Sequence, residues 1–259
     1  MKENILYPSD KVLKRMGYVD DQEGIMQRYI NEEGGWNEHL NNSKYFIKQC
    51  ISDSQPKNVT VLGSGWLLDV PIEFLAENCS QVFLFDIRHP EQVKHKHRDK
   101  NNVHFINIDI TGGAILEVYN CMNSGTASNE AIESIIVPGF SSSEPLDYII
   151  SVNILNQLDI LLIEYLRRFS EIQATQLGHL RKKVQEAHIS GLLPGKACLI
   201  SDYEEMLFDK ENNLKKSNNL LFTEFPKGIK ESEWIWRFDT QMTYYPEFKT
   251  HFKVKAIQI

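Results

Sequence analysis

The stretch Val59-Thr60-Val61-Leu62-Gly63-Ser64-Gly65-Trp66-Leu67 decides how this chain folds. A short β-branched run over 58–62 ends on two glycines one residue apart. Such a run reads as a strand covered on both faces. The glycines let the backbone turn sharply and approach a ligand with no Cβ in the way. A helix is expected over 70–77, with Asp69 as its N-cap and Pro71 in its first turn. Its free N–H groups and positive dipole end would then lie near the turn. A glycine pair can also serve packing alone, so the weight falls on the strands downstream of it.

Moving outward, 81–87 (QVFLFDI) reads as a second strand ending on Asp86, which is 21 positions after Gly65. A carboxylate there can accept both ribose hydroxyl protons of an adenosine ligand, or simply cap a turn with Ile87 and Arg88. A third strand over 103–110 carries Asp109 and Ile110 at its end. A fourth, 146–152, runs into the polar turn Asn153, Asn156 and Gln157. A fifth is expected over 196–201. Short continuous apolar runs alternating with helical segments predict a parallel sheet with right-handed crossovers. The runs 233–240 and 251–259 alternate instead and are expected to be antiparallel strands closing the sheet edge. Residues 1–57 are polar and predict helices over 11–16, 22–32 and 37–52, read as an N-terminal cap or lid on a 58–259 unit. The Ser/Asn/Gly-rich stretch 120–145 reads as an insertion with a short element at 131–137. The stretch 159–189 reads as one helix or two abutting ones. Its apolar stripe is Leu166, Phe169, Ile172, Leu177, Leu180 and Val184.

With 259 residues the chain can bury a sizeable core without disulfides or metal. A net charge of −7 disfavours nucleic acid as partner, because a basic surface supplies most of that affinity. The four cysteines form no CxxC pair and are expected to be reduced thiols, with no metal site. There is no apolar leader at the N-terminus. No apolar stretch approaches the ~20 residues of a membrane span. A cytoplasmic protein without a membrane partner is expected, of an oligomeric state the sequence does not fix.

Taken together, these motifs resemble the class I S-adenosylmethionine-dependent methyltransferases over about residues 58–259. The match is densest at 58–110, 146–158 and 195–205. The resemblance implies an α/β, Rossmann-like sheet of about seven strands, mostly parallel with an antiparallel C-terminal strand. It also implies S-adenosylmethionine as cofactor and a methyltransferase activity. Gly63, Ser64 and Gly65 would form the family's glycine loop, with Leu67 where its third glycine stands. Asp86 would hold the ribose hydroxyls, with Ile87 beside it. Asp109 would face the adenine amino group, with Ile110 along the ring. The backbone of Ser151 to Asn153 would lie near the methionine moiety. Leu193-Pro194-Gly195-Lys196 through Ser201-Asp202 is similar to the family's late turn and fifth strand. A nicotinamide-binding domain is the nearest alternative, but it would want glycine where Leu68 stands. A catalytically silent scaffold of the same fold is the other.

Methyl transfer from a sulfonium is an in-line displacement, so positioning the nucleophile is the main catalytic device. A base is needed where the acceptor must lose a proton. Asp202, Tyr203, Glu204 and His89 are the candidates. The 202–205 segment also reads as a solvated strand end, and His89 as a turn residue. In the N-terminal segment, Arg28, Tyr29, Trp36, His39 and Lys44 surround Gly34-Gly35 and are candidate substrate or lid residues. Their alternative is an ordinary helix pair with a buried Trp. Ser151-Val152-Asn153-Ile154 stands where base- and glutamine-modifying amino methyltransferases carry Asn-Pro-Pro-aromatic. A small-molecule acceptor is therefore expected.

Overall fold

The computed structural model describes residues 7–259 except 126, 143, 145 and 170. Five strands, β1 (Asn58–Leu62), β2 (Gln81–Asp86), β3 (Val103–Asn107), β4 (Ile149–Val152) and β5 (Ala197–Phe208), run parallel. Three more are β6 (Leu214–Asn219), β7 (Lys230–Asp239) and β8 (Lys249–Gln258). The sheet order is β3-β2-β1-β4-β5-β8-β7, with β6 paired to the outer half of β5. β8 lies antiparallel to both β5 and β7. This is the mostly parallel, Rossmann-like α/β sheet with an antiparallel C-terminal strand that the sequence predicts.

The helices are α1 (Asp10–Met16), α2 (Tyr18–Asn31), α3 (Asn37–Ser54), α4 (Ile72–Asn78), α5 (Glu91–Lys96), α6 (Ala114–Asn123), α7 (Asn129–Ser134), α8 (Ile160–Phe169) and α9 (Ala174–Ser190). They cover both faces of the sheet. The apolar residues of the parallel strands alternate between two cores, as the two-residue period of a strand requires. Leu62, Phe83 and Phe85 join α6, α7, α8 and α9 on one face. Val59, Val61, Val82 and Leu84 join α3 and α4 on the other.

Several boundaries differ from the sequence reading, each for a physical reason. Helix α3, expected within a cap, is a layer of the sandwich. Its Phe46, Ile47, Cys50 and Ile51 are buried in the same core as Trp236, Phe252 and Val254 of β7 and β8. Residue 57 is therefore not a break in packing, and Val12 and Met16 of α1 likewise join the core on the other face. Helix α2 buries none of its residues fully. The helix after the glycine turn begins only at Ile72 and is capped by Pro71, so Asp69 is no N-cap. The 159–189 region is two helices, and Phe169 of its expected stripe lies outside the described side chains. The 131–137 element is α7, whose N-cap Ser128 Oγ accepts from Ala131 N at 3.2 Å. Strand β5 runs on to Phe208, and the polar, mostly exposed β6 hangs on it by ladder hydrogen bonds without an apolar face. That left no hydrophobic pattern to read. All four cysteines are free thiols. Among the described residues no helix is long and apolar enough to cross a membrane, and no cluster of His, Cys, Asp and Glu could hold a metal ion.

Candidate active site

The strand order reverses between β1 and β4, and a crevice opens outside the carboxyl ends of the strands at that point. There the structure has a cavity of ≈ 310 Å³. The turn after β1 forms its floor. Gly63 has φ +78°, and a Cβ there would sit 2.7 Å from Ile154 Cβ, so this position requires glycine. Gly65, also at positive φ, donates its N–H to Asp86 Oδ2 at 2.8 Å. Leu67, standing where the family has its third glycine, also takes a left-handed φ of 57°. A leucine held there stores backbone strain beside the cavity.

One half of the cavity is formed by the ends of β1, β2 and β3. Gly63, Ser64, Gly65, Asp86, Ile87, Asp109 and Ile110 all line it, joined by Tyr18 from α2. Asp86 accepts from Gly65 N and, at 3.3 Å, from Arg88 N. Burial pushes its pKa up, while His89 and these N–H donors pull it down. Asp109 Oδ1 accepts from Thr111 N at 2.8 Å and from the Thr111 hydroxyl. Asp109 Oδ2 has no partner, although Asp109 is 1% exposed, and the buried Tyr18 hydroxyl has none either. Unmet buried polar atoms that line a cavity are where a ligand or water can supply the partner.

The other half is formed by the ends of β4 and β5, by β7 and β8, and by α2 and α3. Asn153, at φ +48°, bonds Asp69 Oδ2 at 2.6 Å, and the same amide faces His39 Nε2 at 3.0 Å. Trp234 Nε1–H donates to His39 Nδ1 at 3.0 Å. Burial drives the His39 pKa down to about 3, so the ring is neutral. Asn156 Nδ2 donates to Asp202 Oδ2 at 2.8 Å, and Oδ1 of each residue has no partner. Burial, the largest influence on Asp202, raises its pKa to about 6. Trp36, Trp236, Phe238, Tyr244 and Phe252 wall this half. Trp36 is fixed by its Nε1–H to the Phe238 carbonyl at 2.8 Å and by edge contact with Trp236 at 4.8 Å. The Arg28 guanidinium lies over the Phe238 and Tyr244 rings, at 4.9 and 5.0 Å.

Of the residues expected from the sequence, the structure brings Arg28, Trp36, His39, Asn153 and Asp202 to this cavity. Others it does not. The Ser151 side chain is fully buried and pairs with His188 Nε2 at 2.8 Å, so only its backbone is left to face the crevice. His89 stands behind the glycine loop, between Ser64 Oγ and Asn107 Oδ1, each 2.9 Å away, and burial lowers its pKa. It braces the loop to β3 and is not a base at the crevice. Tyr203 points to Phe225 on the opposite face of β5, as the strand alternation from Asp202 demands. Glu204 is bound to Lys253 at 2.8 Å. Tyr29 packs on Trp36, and Lys44 lies outside the lining, where burial lowers its pKa against the Asp69 charge. The sequence reading missed Tyr18, Asp69, Trp236, Phe238 and Tyr244 as cavity residues. A signal existed for two of them: the alternation of Trp234, Trp236 and Phe238 puts all three rings on one face of β7.

No family model and no curated protein sequence matches the chain. Among solved structures it is similar to the N-methyltransferase NodS from Bradyrhizobium japonicum WM9 in complex with S-adenosyl-L-homocysteine. That match has 12% identity over 84% of this chain and 86% of that one, at a TM-score of 0.39. It is similar as well to the Burkholderia thailandensis 1,6-didemethyltoxoflavin-N1-methyltransferase, at 10% identity over 96% and 88% of the two chains and a TM-score of 0.42. An S-adenosylmethionine-dependent methyltransferase from Clostridium acetobutylicum ATCC 824 matches at 11% identity over 87% and 74%, with a TM-score of 0.35.

Proposed function

We propose that this protein transfers a methyl group from S-adenosylmethionine to a small-molecule acceptor. One observation carries the reading. A glycine turn whose N–H binds the carboxylate ending β2 sits beside a buried carboxylate after β3 that has one unmet oxygen. That pair of carboxylates at a topological switch point suits an adenosine ligand. Asp86 would accept the ribose hydroxyls, and Asp109 Oδ2 would accept from the adenine amino group. Gly63 and Gly65 would leave room for the methionine moiety. The sulfonium, when bound, supplies an electrophilic methyl group.

The chain's own contribution is placement and dehydration. The aromatic wall would exclude water from the acceptor half, and the nucleophile would be aimed along the S–C bond. Asp202 is the residue suited to take a proton there. It is buried, has an unmet oxygen, and titrates near neutrality. A cavity of ≈ 310 Å³ that must hold donor and acceptor together favours a small acceptor.

The test is a thermal-shift and calorimetric comparison of S-adenosylmethionine, S-adenosylhomocysteine and NAD(H). Ligand that binds only the folded chain raises the midpoint as RT ln(1 + [L]/Kd). Binding of the first two and not of NAD(H) supports the reading. Binding of NAD(H) alone replaces it with an oxidoreductase, and binding of none replaces it with a silent scaffold.

A further inference from the structure

Resting on that reading, we infer that the acceptor atom is an amine nitrogen. It would arrive as an ammonium ion and dock on Asp202 and Asn156 against the aromatic wall of β7 and β8. Asp202 lies two residues beyond Ile200, which pairs with Val152, the last residue of β4. It therefore sits just past the end of β4, on the floor of the crevice, and is 3% exposed.

At the Asp202–Asn156 pair the unmet hydrogen-bonding capacity is all acceptor, while the Trp236 Nε1–H elsewhere on the cavity wall is an unmet donor. Asp202 Oδ1 and Asn156 Oδ1 are both acceptors, and neither has a partner. A group that docks on this pair therefore brings donors. An ammonium carries three N–H groups, a hydroxyl one, and a carboxylate or phosphate none.

Charge gives the same answer by an independent route. A carboxylate this deep is destabilising unless a cation or hydrogen bonds offset it. The charged neighbour acting on Asp202 is Glu205, of like sign. The cations nearby are engaged elsewhere. Arg28 stacks on Phe238 and Tyr244 and lowers the pKa of Asp21, while Lys44 acts on Asp69. Burial holds the Asp202 carboxyl near pKa 6, so the site ionises close to neutral pH and then lacks a counter-charge. Trp36, Trp236 and Phe252 line the same cavity, and the negative faces of such rings favour a cation over an anion.

The chemistry balances. The ammonium gives one proton to the Asp202 carboxylate. The freed nitrogen lone pair forms the N–C bond while the S–C bond of the donor breaks, and that electron pair stays on sulfur. The products are a methylated ammonium, a neutral thioether and a protonated Asp202, which returns its proton to solvent.

The experiment saturates the protein with S-adenosylhomocysteine and titrates benzylamine, benzyl alcohol and benzoate by calorimetry. These probes share a ring and differ in head group. Methyl transfer from labelled S-adenosylmethionine to each is measured in parallel. Benzylamine is expected to bind at least about tenfold more tightly than benzyl alcohol and to be the probe methylated, with benzoate excluded. Asp202→Asn is expected to weaken benzylamine by about tenfold or more while leaving S-adenosylhomocysteine affinity within about twofold, which also shows that the variant is folded. Preference for benzyl alcohol or benzoate, binding of none of the three, or an Asp202→Asn variant with unchanged benzylamine affinity overturns the inference. Failure of S-adenosylhomocysteine to bind in the absence of any probe overturns the methyl-transfer reading itself and the inference with it. Failure of benzylamine alone leaves the reading standing.

Discussion

Asp202→Asn changes stability in a direction opposite to its effect on activity, and the size follows from where the carboxyl sits. Burial raises its pKa from 3.8 to about 6 against the pull of Asn156, and the charge of Glu205 adds to the rise. The unfolded chain ionises this group near its ordinary value, while the folded chain keeps the proton for about two more pH units. Over that window the folded state binds more protons than the unfolded one, so raising the pH destabilises the protein. The contribution is fully present below about pH 4, is lost between about pH 4 and 6, and is gone above. At 1.36 kcal/mol per unit the loss is about 3 kcal/mol. The asparagine variant keeps an oxygen to accept from Asn156 Nδ2 and has nothing to ionise. Urea denaturation of both proteins from pH 4 to 8 isolates the effect, because groups common to the two cancel in the difference. The stability of Asp202→Asn relative to the parent should rise by about 3 kcal/mol across pH 4–7, with m unchanged, and then level off. A difference that stays flat to within about 0.5 kcal/mol across that range refutes the placement of Asp202 as a buried, unpaired carboxyl. The same variant should lose methyl-transfer activity, so stability gained and function lost would trace to one group.

Three further outcomes are expected. Gly63→Ala should lower stability by about 2 kcal/mol or more. The left-handed φ is unfavourable to alanine, and its Cβ would press on Ile154, so a thermal melt reads the effect directly. Asp86→Ala should weaken S-adenosylhomocysteine binding by about tenfold or more in calorimetry, since it removes both the carboxylate and the brace that holds Gly65. Trp66→Phe removes the indole N–H bond to the Gln22 carbonyl, 2.7 Å long, that ties the glycine loop to α2. A loss of about 1 kcal/mol should raise opening of α1–α2 about fivefold, seen as faster limited proteolysis or amide exchange in 10–31 with the rest of the chain unchanged.

What was legible in the sequence was local. Val59–Leu62 followed by Gly63 and Gly65 could scarcely be anything but a buried strand entering a tight turn. Asp86 ends a continuous apolar run and Asp109 follows a β-branched one two residues past its strand, which puts both at the carboxyl edge of a parallel sheet. The same kind of local evidence misassigned Asp69. An acidic residue before a proline and an apolar segment has the look of a helix cap, yet its carboxylate is taken up by Asn153, 84 residues away. Strand β6 went unread because it is held by the backbone of β5 and not by any apolar face. His89 and Ser151 sat at the right positions along the chain to face the crevice. Their side chains are instead turned away by partners remote in sequence, Asn107 and His188.

The sequence by itself determined the parallel strands, the glycine turn and the carboxylates at the end of β2 and just after β3, because hydrophobic runs and backbone sterics act over a few residues. Only the tertiary structure decided the acceptor half of the cavity. Arg28, Trp36 and His39 come from before the first strand, Asn156 and Asp202 from the middle of the chain, and Trp236, Phe238 and Tyr244 from near its end. Their meeting depends on α3 packing against β7 and β8. So does the burial that leaves one carboxyl oxygen without a partner. Burial and unmet hydrogen bonds are properties of the assembled core, and no short stretch of sequence contains them.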